Sequence, residues 1–391
     1  MKILAPVLYF LLFLSIPASY ISLIPNRILM VLLAIPAIGS VPREFLKTHR
    51  WKFLIAVLGF ILILSFGNKY LVKDSLLFLI LPAYWLILSK RLIPLSSMTA
   101  LFSRAACMTF LIMLLIKIAA ILSQGIDFFN QEHWWNQLLY KQFAETIEGH
   151  PAYLSLFFMI GLVFSLEKIL YSSKPQRPYI QVVVLTSGLL LLAVKTFLFV
   201  LTLVVLVFAL VGLYKRLLPA AILGVGLIIA LSSTILFVPG IKHRVDKVVN
   251  EYNSADETSR LSERKALWKA SFETINRFPF KGSSFRGLSS RDAIYESALH
   301  YYPELSVPKN AHNNFLETGV RYGYPGLVVS LLLLISLLVF NFKHPGFALV
   351  SLTIAVLSFS MTESFLFREA GLAMVAILIA IFGKHDHGKR I

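Results

Sequence analysis

Long apolar blocks follow one another through most of this sequence, separated by short basic or aromatic segments. Hydrophobic residues fill 57% of the 391 positions and charged residues 15%. The apolar residues come in continuous runs rather than at the i, i+3, i+4 spacing of a half-buried helix. A run of ~20 such residues crosses a bilayer as a helix, which satisfies its own backbone there. The stretch 198–213 shows no apolar–polar alternation, so the strand pattern of a membrane barrel is excluded. The expected fold class is therefore an all-α polytopic membrane protein of about 12 transmembrane helices. The spans read as 3–20, 25–42, 53–67, 75–89, 97–122, 152–170, 179–194, 196–213, 217–238, 325–341, 346–361 and 370–383.

Charge in the connecting loops sets orientation. Arg43, Lys47, Arg50 and Lys52 share one loop. Lys90 and Arg91, Lys174 and Arg177, Lys215 and Arg216, Lys343, and the tail residues Lys384, Lys389 and Arg390 lie in others. Counted through the spans, all of these fall on the side of the N-terminus, whereas Lys69 and Lys73 fall opposite. Both termini are expected in the cytoplasm. The formal net charge of +17 then reflects cytoplasmic anchoring to membrane lipids plus an anionic substrate, and not a nucleic-acid partner. The single cysteine, Cys107, sits in an apolar run, which rules out an intrachain disulfide and a cysteine metal site. Residues 1–19 have Lys2 as their only basic residue and no small-x-small cleavage pattern, so they read as the first membrane helix.

This topology divides the chain into N-terminal helices (1–122), central helices with an outer loop at 123–151 (123–238), an outer loop domain (239–324), and C-terminal helices with a cytoplasmic tail (325–391). Candidate chemistry falls in the outer segments. The 123–151 loop carries Trp134, Trp135, Tyr140 and Phe143 with Glu145 and Glu148, and ends at His150, ahead of Pro151 at a helix start. His150 serves a ligand or sits as an interfacial histidine. Lys195 lies between two apolar runs with almost no loop, where a charge must be paired, face a wet cavity or snorkel to the surface.

In the outer domain, 261–278 reads as a helix with Trp268, Phe272 and Ile275 on one face, continued backwards by Arg264 and Arg260. Thr258 or Ser259 is its expected cap. The stretch Lys309-Asn-Ala-His312-Asn313-Asn314-Phe-Leu-Glu317 opens a short helix, which Gly319, Gly323, Pro325 and Gly326 are expected to end. His312 there is a proton carrier beside an anion-binding helix end, or only part of a cap. Near the end, Glu363, Arg368 and Glu369 pair with one another, or Glu363 orients His312. No P-loop, GxGxxG, HExxH or Asp-x-Asp signature is present. The tail His385-Asp-His387 reads as a solvated end.

Together, His150-Pro-Ala-Tyr153, Lys195, Arg264-Lys-Ala-Leu-Trp268-Lys-Ala, Phe278-Pro-Phe-Lys-Gly282, Asn310-Ala-His-Asn-Asn-Phe-Leu-Glu317, Gly323-Tyr-Pro-Gly326 and Thr362-Glu-Ser-Phe-Leu-Phe-Arg368 resemble the O-antigen ligase/O-antigen polymerase superfamily, particularly its ligase-like members. The resemblance covers roughly the last 240 residues; the first 140 match only as membrane spans. It implies a GT-C-like architecture and an active site outside the bacterial inner membrane. It also implies transfer of a glycan from undecaprenyl pyrophosphate to lipid A–core, without nucleotide sugar, metal or other cofactor. A polymerase, with a second lipid-linked glycan as acceptor, is the alternative; transfer to protein and lipid-linked glycan transport are further ones. By position, Arg264 and Lys195 would bind the pyrophosphate and His312 would deprotonate the acceptor or assist the leaving group. Arg260, Asn313, His150, Glu363 and Arg368 are the remaining candidate substrate contacts. Ligases commonly carry arginine where Lys195 stands, and lysine offers a point charge rather than a two-pronged fork.

Overall fold

A computed structural model of the protein describes residues 4–18, 94–125, 127–130, 134–171, 176–253, 260–343 and 346–382. The expected spans 25–42, 53–67 and 75–89, the basic loops around them, Thr258, Ser259 and the tail lie outside these residues. Among the described residues every regular element is helical. In chain order these are α1 (Leu4–Ala18), α2 (Leu95–Gln124), α3 (Asp127–Asn130), α4 (Tyr140–Ala144), α5 (Pro151–Tyr171), α6 (Gln176–Leu192), α7 (Lys195–Tyr214) and α8 (Leu218–Phe237). There follow α9 (Pro239–Asn253), α10 (Arg260–Arg277), α11 (Ser290–Ala298), α12 (Asn314–Lys343), α13 (Phe347–Thr362) and α14 (Glu369–Phe382). Helices α2, α5, α7, α8 and α12 each contain a stretch long and apolar enough to cross a membrane, and α1, α6 and α13 are shorter apolar helices. Among the described residues the fold is all-helical, with five helices long and apolar enough to cross a membrane.

The bundle is organised on α5, which packs against α2, α6, α7 and α13. Its faces are nearly all buried, with Phe157 and Phe158 at 1% exposure or less. Phe102 of α2 meets Phe157 at 4.9 Å and Phe164 at 5.9 Å between ring centres, and Phe110 meets Phe158 edge-on at 6.1 Å. The two helices approach closely because Gly161 lacks a side chain: a Cβ there would lie 2.9 Å from that of Ala106. Ser103 Oγ donates to the Gly161 carbonyl at 2.9 Å across the same crossing. Small residues and a shared hydroxyl are what join helices where the solvent is itself apolar.

A second apolar cluster gathers Leu267, Ala270 and Ile275 of α10, Ile294 and Ala298 of α11, Leu305 and Ala311 of the following loop, and Leu316 and Val320 of α12. Helix α10 starts with Glu263 in its first turn and ends on Arg277, matching the helix dipole. Its buried face differs from the expected aromatic stripe. Ile275 is buried and Trp268 partly so, but Phe272 is 52% exposed. The face that packs runs through Leu267, Ala270, Ser271 and Thr274, because small residues let α11 and the head of α12 come close. Ser289 caps α11 by accepting from the Asp292 N–H at 3.2 Å.

The head of α12 also departs from expectation. Of the four expected breakers only Gly323 interrupts the helix, with φ at 70°. Gly319 stays helical, since a Cβ there would lie 2.6 Å from Ile275 Cδ1; its bareness serves packing. Gly282 (φ +69°) and Gly323 each meet the backbone of the other's segment at the kink. A Cβ on Gly282 would touch the Arg321 carbonyl and one on Gly323 the Pro279 carbonyl, and Tyr324 N–H donates to the Pro279 oxygen at 2.7 Å. The Pro-Phe-Lys-Gly turn and the Gly-Tyr-Pro-Gly stretch are thus one backbone junction, which joins the second cluster to the apolar part of α12.

Candidate functional site

The histidine turn is built from amides. Asn310 Oδ1 accepts from the His312 N–H at 3.3 Å, an Asx-type turn. His312 then takes φ 45°, a left-handed conformation that a β-carbon-bearing residue holds only where its surroundings enforce it. Asn313 caps α12 by accepting from the N–H groups of Phe315 at 3.0 Å and Leu316 at 3.1 Å. Its side-chain amide donates to the Met361 carbonyl at 3.5 Å, and Asn314 Oδ1 accepts from Leu366 N–H at 3.2 Å. The turn therefore leans on 361–368, the connection between α13 and α14.

That connection carries Glu363, whose Oε2 lies 3.4 Å from His312 Nδ1. The contact is longer than a good hydrogen bond and becomes an ion pair when the imidazole is protonated. Burial pushes the Glu363 carboxyl up, but the His312 contact and the charges of His312, His150 and Arg264 outweigh it and hold the group below the usual carboxylate range. Two of these partners come from elsewhere in the fold: His150 precedes α5 and Arg264 lies in α10. His150 stands edge-on to Tyr153 at 5.2 Å and keeps one side open. The enclosing protein lowers its pKa, Glu363 raises it, and Arg368 and His312 lower it further. Arg368 also reaches the Tyr153 hydroxyl.

A ring stack beneath fixes these elements to one another. Phe359 meets Tyr153 at 5.3 Å, Phe197 at 5.4 Å and Phe365 at 4.8 Å. Gly371 permits the tight return after Phe365, since a Cβ there would lie 2.2 Å from the Phe365 carbonyl.

The structure accordingly brings His312, Glu363, His150, Arg264, Arg368 and Asn313 to one end of the bundle. Lys195 begins α7 at that same end, two residues before Phe197 and the ring stack. Arg260 begins α10, but its side chain lies outside the described residues, as does that of Glu369. Some polar contacts were not read from the sequence. Lys309 pairs with Glu263 at 2.7 Å, tying the histidine loop to α10. Arg244 of α9 lies 3.7 Å over the Tyr140 ring and donates to the Ala193 carbonyl at 3.4 Å, beside the turn that leads to Lys195. Glu317 and Arg321 form an i, i+4 pair at 2.8 Å, the one of these signalled by spacing.

With an all-helical membrane bundle and a histidine–carboxylate–cation cluster at one end, comparison with known families is informative. Residues 181–331 match the family model described as O-antigen ligase. The resemblance to the O-antigen ligase superfamily holds across this stretch, and that family implies a ligase-like or polymerase-like transferase. The matched stretch contains Lys195, Arg264, His312 and Asn313, and leaves His150, Glu363 and Arg368 outside. No curated protein matches the chain.

Proposed function

We propose that the protein is a glycosyltransferase of the O-antigen ligase type, moving a glycan from undecaprenyl pyrophosphate to a hydroxyl of lipid A–core at the periplasmic face of the bacterial inner membrane, without a metal. The observation that carries this reading is the His312–Glu363 contact at 3.4 Å with Arg264, His150 and Arg368 gathered around it. In the proposed reaction the acceptor hydroxyl oxygen attacks the anomeric carbon as its bond to the pyrophosphate oxygen breaks. The hydroxyl proton passes to His312 Nε2, the ring edge away from Glu363, and Glu363 steadies the imidazolium that forms. Undecaprenyl pyrophosphate leaves with its charge met by Arg264 and Lys195, the task a metal performs in other phosphate-releasing enzymes. Arg260, His150, Arg368 and Asn313 contact the substrates or hold the groups that do.

The reading is tested by reconstituting the full chain with an undecaprenyl-pyrophosphate-linked glycan, offering lipid A–core and a second lipid-linked glycan together, with chelator present. Glycan on lipid A–core supports the ligase reading. Longer lipid-linked chains instead make it a polymerase, and transfer to neither by folded protein overturns both. His312→Ala lowers transfer by about 100-fold or more without loss of folded protein. Lys195→Arg keeps much of the activity and Lys195→Ala little.

A further inference from the structure

Glu317 has no part in the chemistry proposed above, yet its side chain is 0% exposed and collects donors from three directions. Ser290 Oγ of α11 donates at 2.5 Å, Ala311 N–H at 3.1 Å and Arg321 Nε at 2.8 Å. A carboxylate taken wholly out of water is kept only where such partners replace its hydration. The partners here are specific in position. Ala311 immediately precedes His312, so the Glu317 carboxylate holds the Asn310–Ala311 peptide, one unit before the left-handed histidine. Arg321 lies 4.1 Å over the Phe367 ring, inside the connection that bears Glu363 and Arg368, and Tyr322 stacks on the same ring at 6.4 Å.

We infer that Glu317 is a positioning residue for the transfer reaction: its carboxylate fixes the His312 backbone through Ala311 and, through Arg321, the segment that carries Glu363. This rests on His312 acting as the base. Asn313 and Asn314 brace the same two segments from the side, whereas Glu317 joins the Asn310–Ala311 peptide, α11 and Arg321 through one group. Its action is geometric, so it bears on turnover and not on capture of the lipid donor. A misplacement of about 1 Å between reacting groups costs on the order of 100-fold in rate.

Glu317→Gln keeps the shape but has one acceptor oxygen in place of two, so it satisfies either Ala311 on one side or Ser290 and Arg321 on the other, and no longer joins them. Full-length enzyme carrying it is expected to lose about 10- to 100-fold in kcat while KM for the donor stays within about twofold. A second readout needs no turnover: histidine modification by diethyl pyrocarbonate, followed site by site by mass spectrometry. His312 should react several-fold faster in the variant while His300, exposed elsewhere in the protein, keeps its rate. Acceleration of both histidines together, or of neither, overturns the assignment in favour of a general structural role. If Glu317→Gln does not fold, Arg321→Lys retains the charge and removes the planar contact with Phe367. It should show the same pattern at smaller size, and its absence is equally decisive. Faster His312 labelling in Glu317→Gln, found with full transfer by His312→Ala, would keep Glu317 as the residue that places His312 and overturn the base assignment instead.

Discussion

Helices α5 and α8 are 21 and 20 residues long and both apolar, yet they occupy opposite environments. In α5 89% of the apolar window is buried inside the protein, and in α8 28%. The more hydropathic of the two is the exposed one. Bilayer and protein core are similarly apolar, so hydropathy measures removal from water and says little about which neighbour replaces it. What separates the helices is complementarity. Helix α5 offers Gly161 to Ala106 and Ser103, and Phe158 to Phe110. In α8 Gly224 meets Ala209 of α7, while a Cβ on Gly226 would meet no atom of the described residues within 4 Å. The N-terminal end of α5 carries His150 into the candidate site; the C-terminal end of α8 leads into α9.

The sharpest way to break this contrast is to hollow out each helix. Phe158→Ala should destabilise the protein by about 3–5 kcal/mol, whereas Ile229→Ala in α8, at a position 60% exposed, should stay within about 0.5 kcal/mol. Comparable losses in thermal unfolding of the purified protein would end the distinction. Overfilling is the next test. Gly161→Val forces the α2–α5 crossing apart and should cost about 1–3 kcal/mol, together with the Ser103 hydrogen bond.

A smaller effect comes from acid at the N-terminal end of α5. The folded Glu363 carboxyl titrates below its ordinary range, so its contacts stabilise most above that range and are lost as pH falls through the depressed value. The pKa of His150 is lowered too, by burial first, so the fold resists its protonation as pH falls, which again favours the fold at higher pH. Hydrogen exchange in 361–368 should rise on acidification before that of α8 does; simultaneous loosening would contradict this. Least of all, Gly226→Val should leave stability within about 0.5 kcal/mol, and a larger loss would reveal a neighbour for that face of α8.

Much of this was readable beforehand, and the failures are informative. The apolar runs located α2, α5, α6, α7, α8 and α13, because spanning a bilayer demands length and composition that leave a plain trace. Gly323 was read as a break and Gly319 wrongly so. A glycine's meaning depends on whether φ or a neighbour requires it, and only Ile275 shows which applies. The periodicity puts Trp268, Phe272 and Ile275 on one face of α10 but does not say which face packs: Phe272 is 52% exposed, and Ala270 and Ser271 are what allow α11 to approach. Glu317 lay within a recognised stretch, but its partners Ser290 and Ala311 lie far along the chain or on its backbone, where spacing carries no signal.

By itself, the sequence determined the helical membrane class, the positions of most described helices and the residue types able to bind pyrophosphate and move a proton. These depend on local composition and on the thickness of the bilayer. Tertiary structure alone decided that α5 is central, that Gly282 and Gly323 form one junction, and that His312 meets Glu363 under the influence of Arg264, His150 and Arg368. Each of those facts is a contact between segments distant in sequence, set by which side chains interlock. The same chain packed in another register would keep every motif and lose the site.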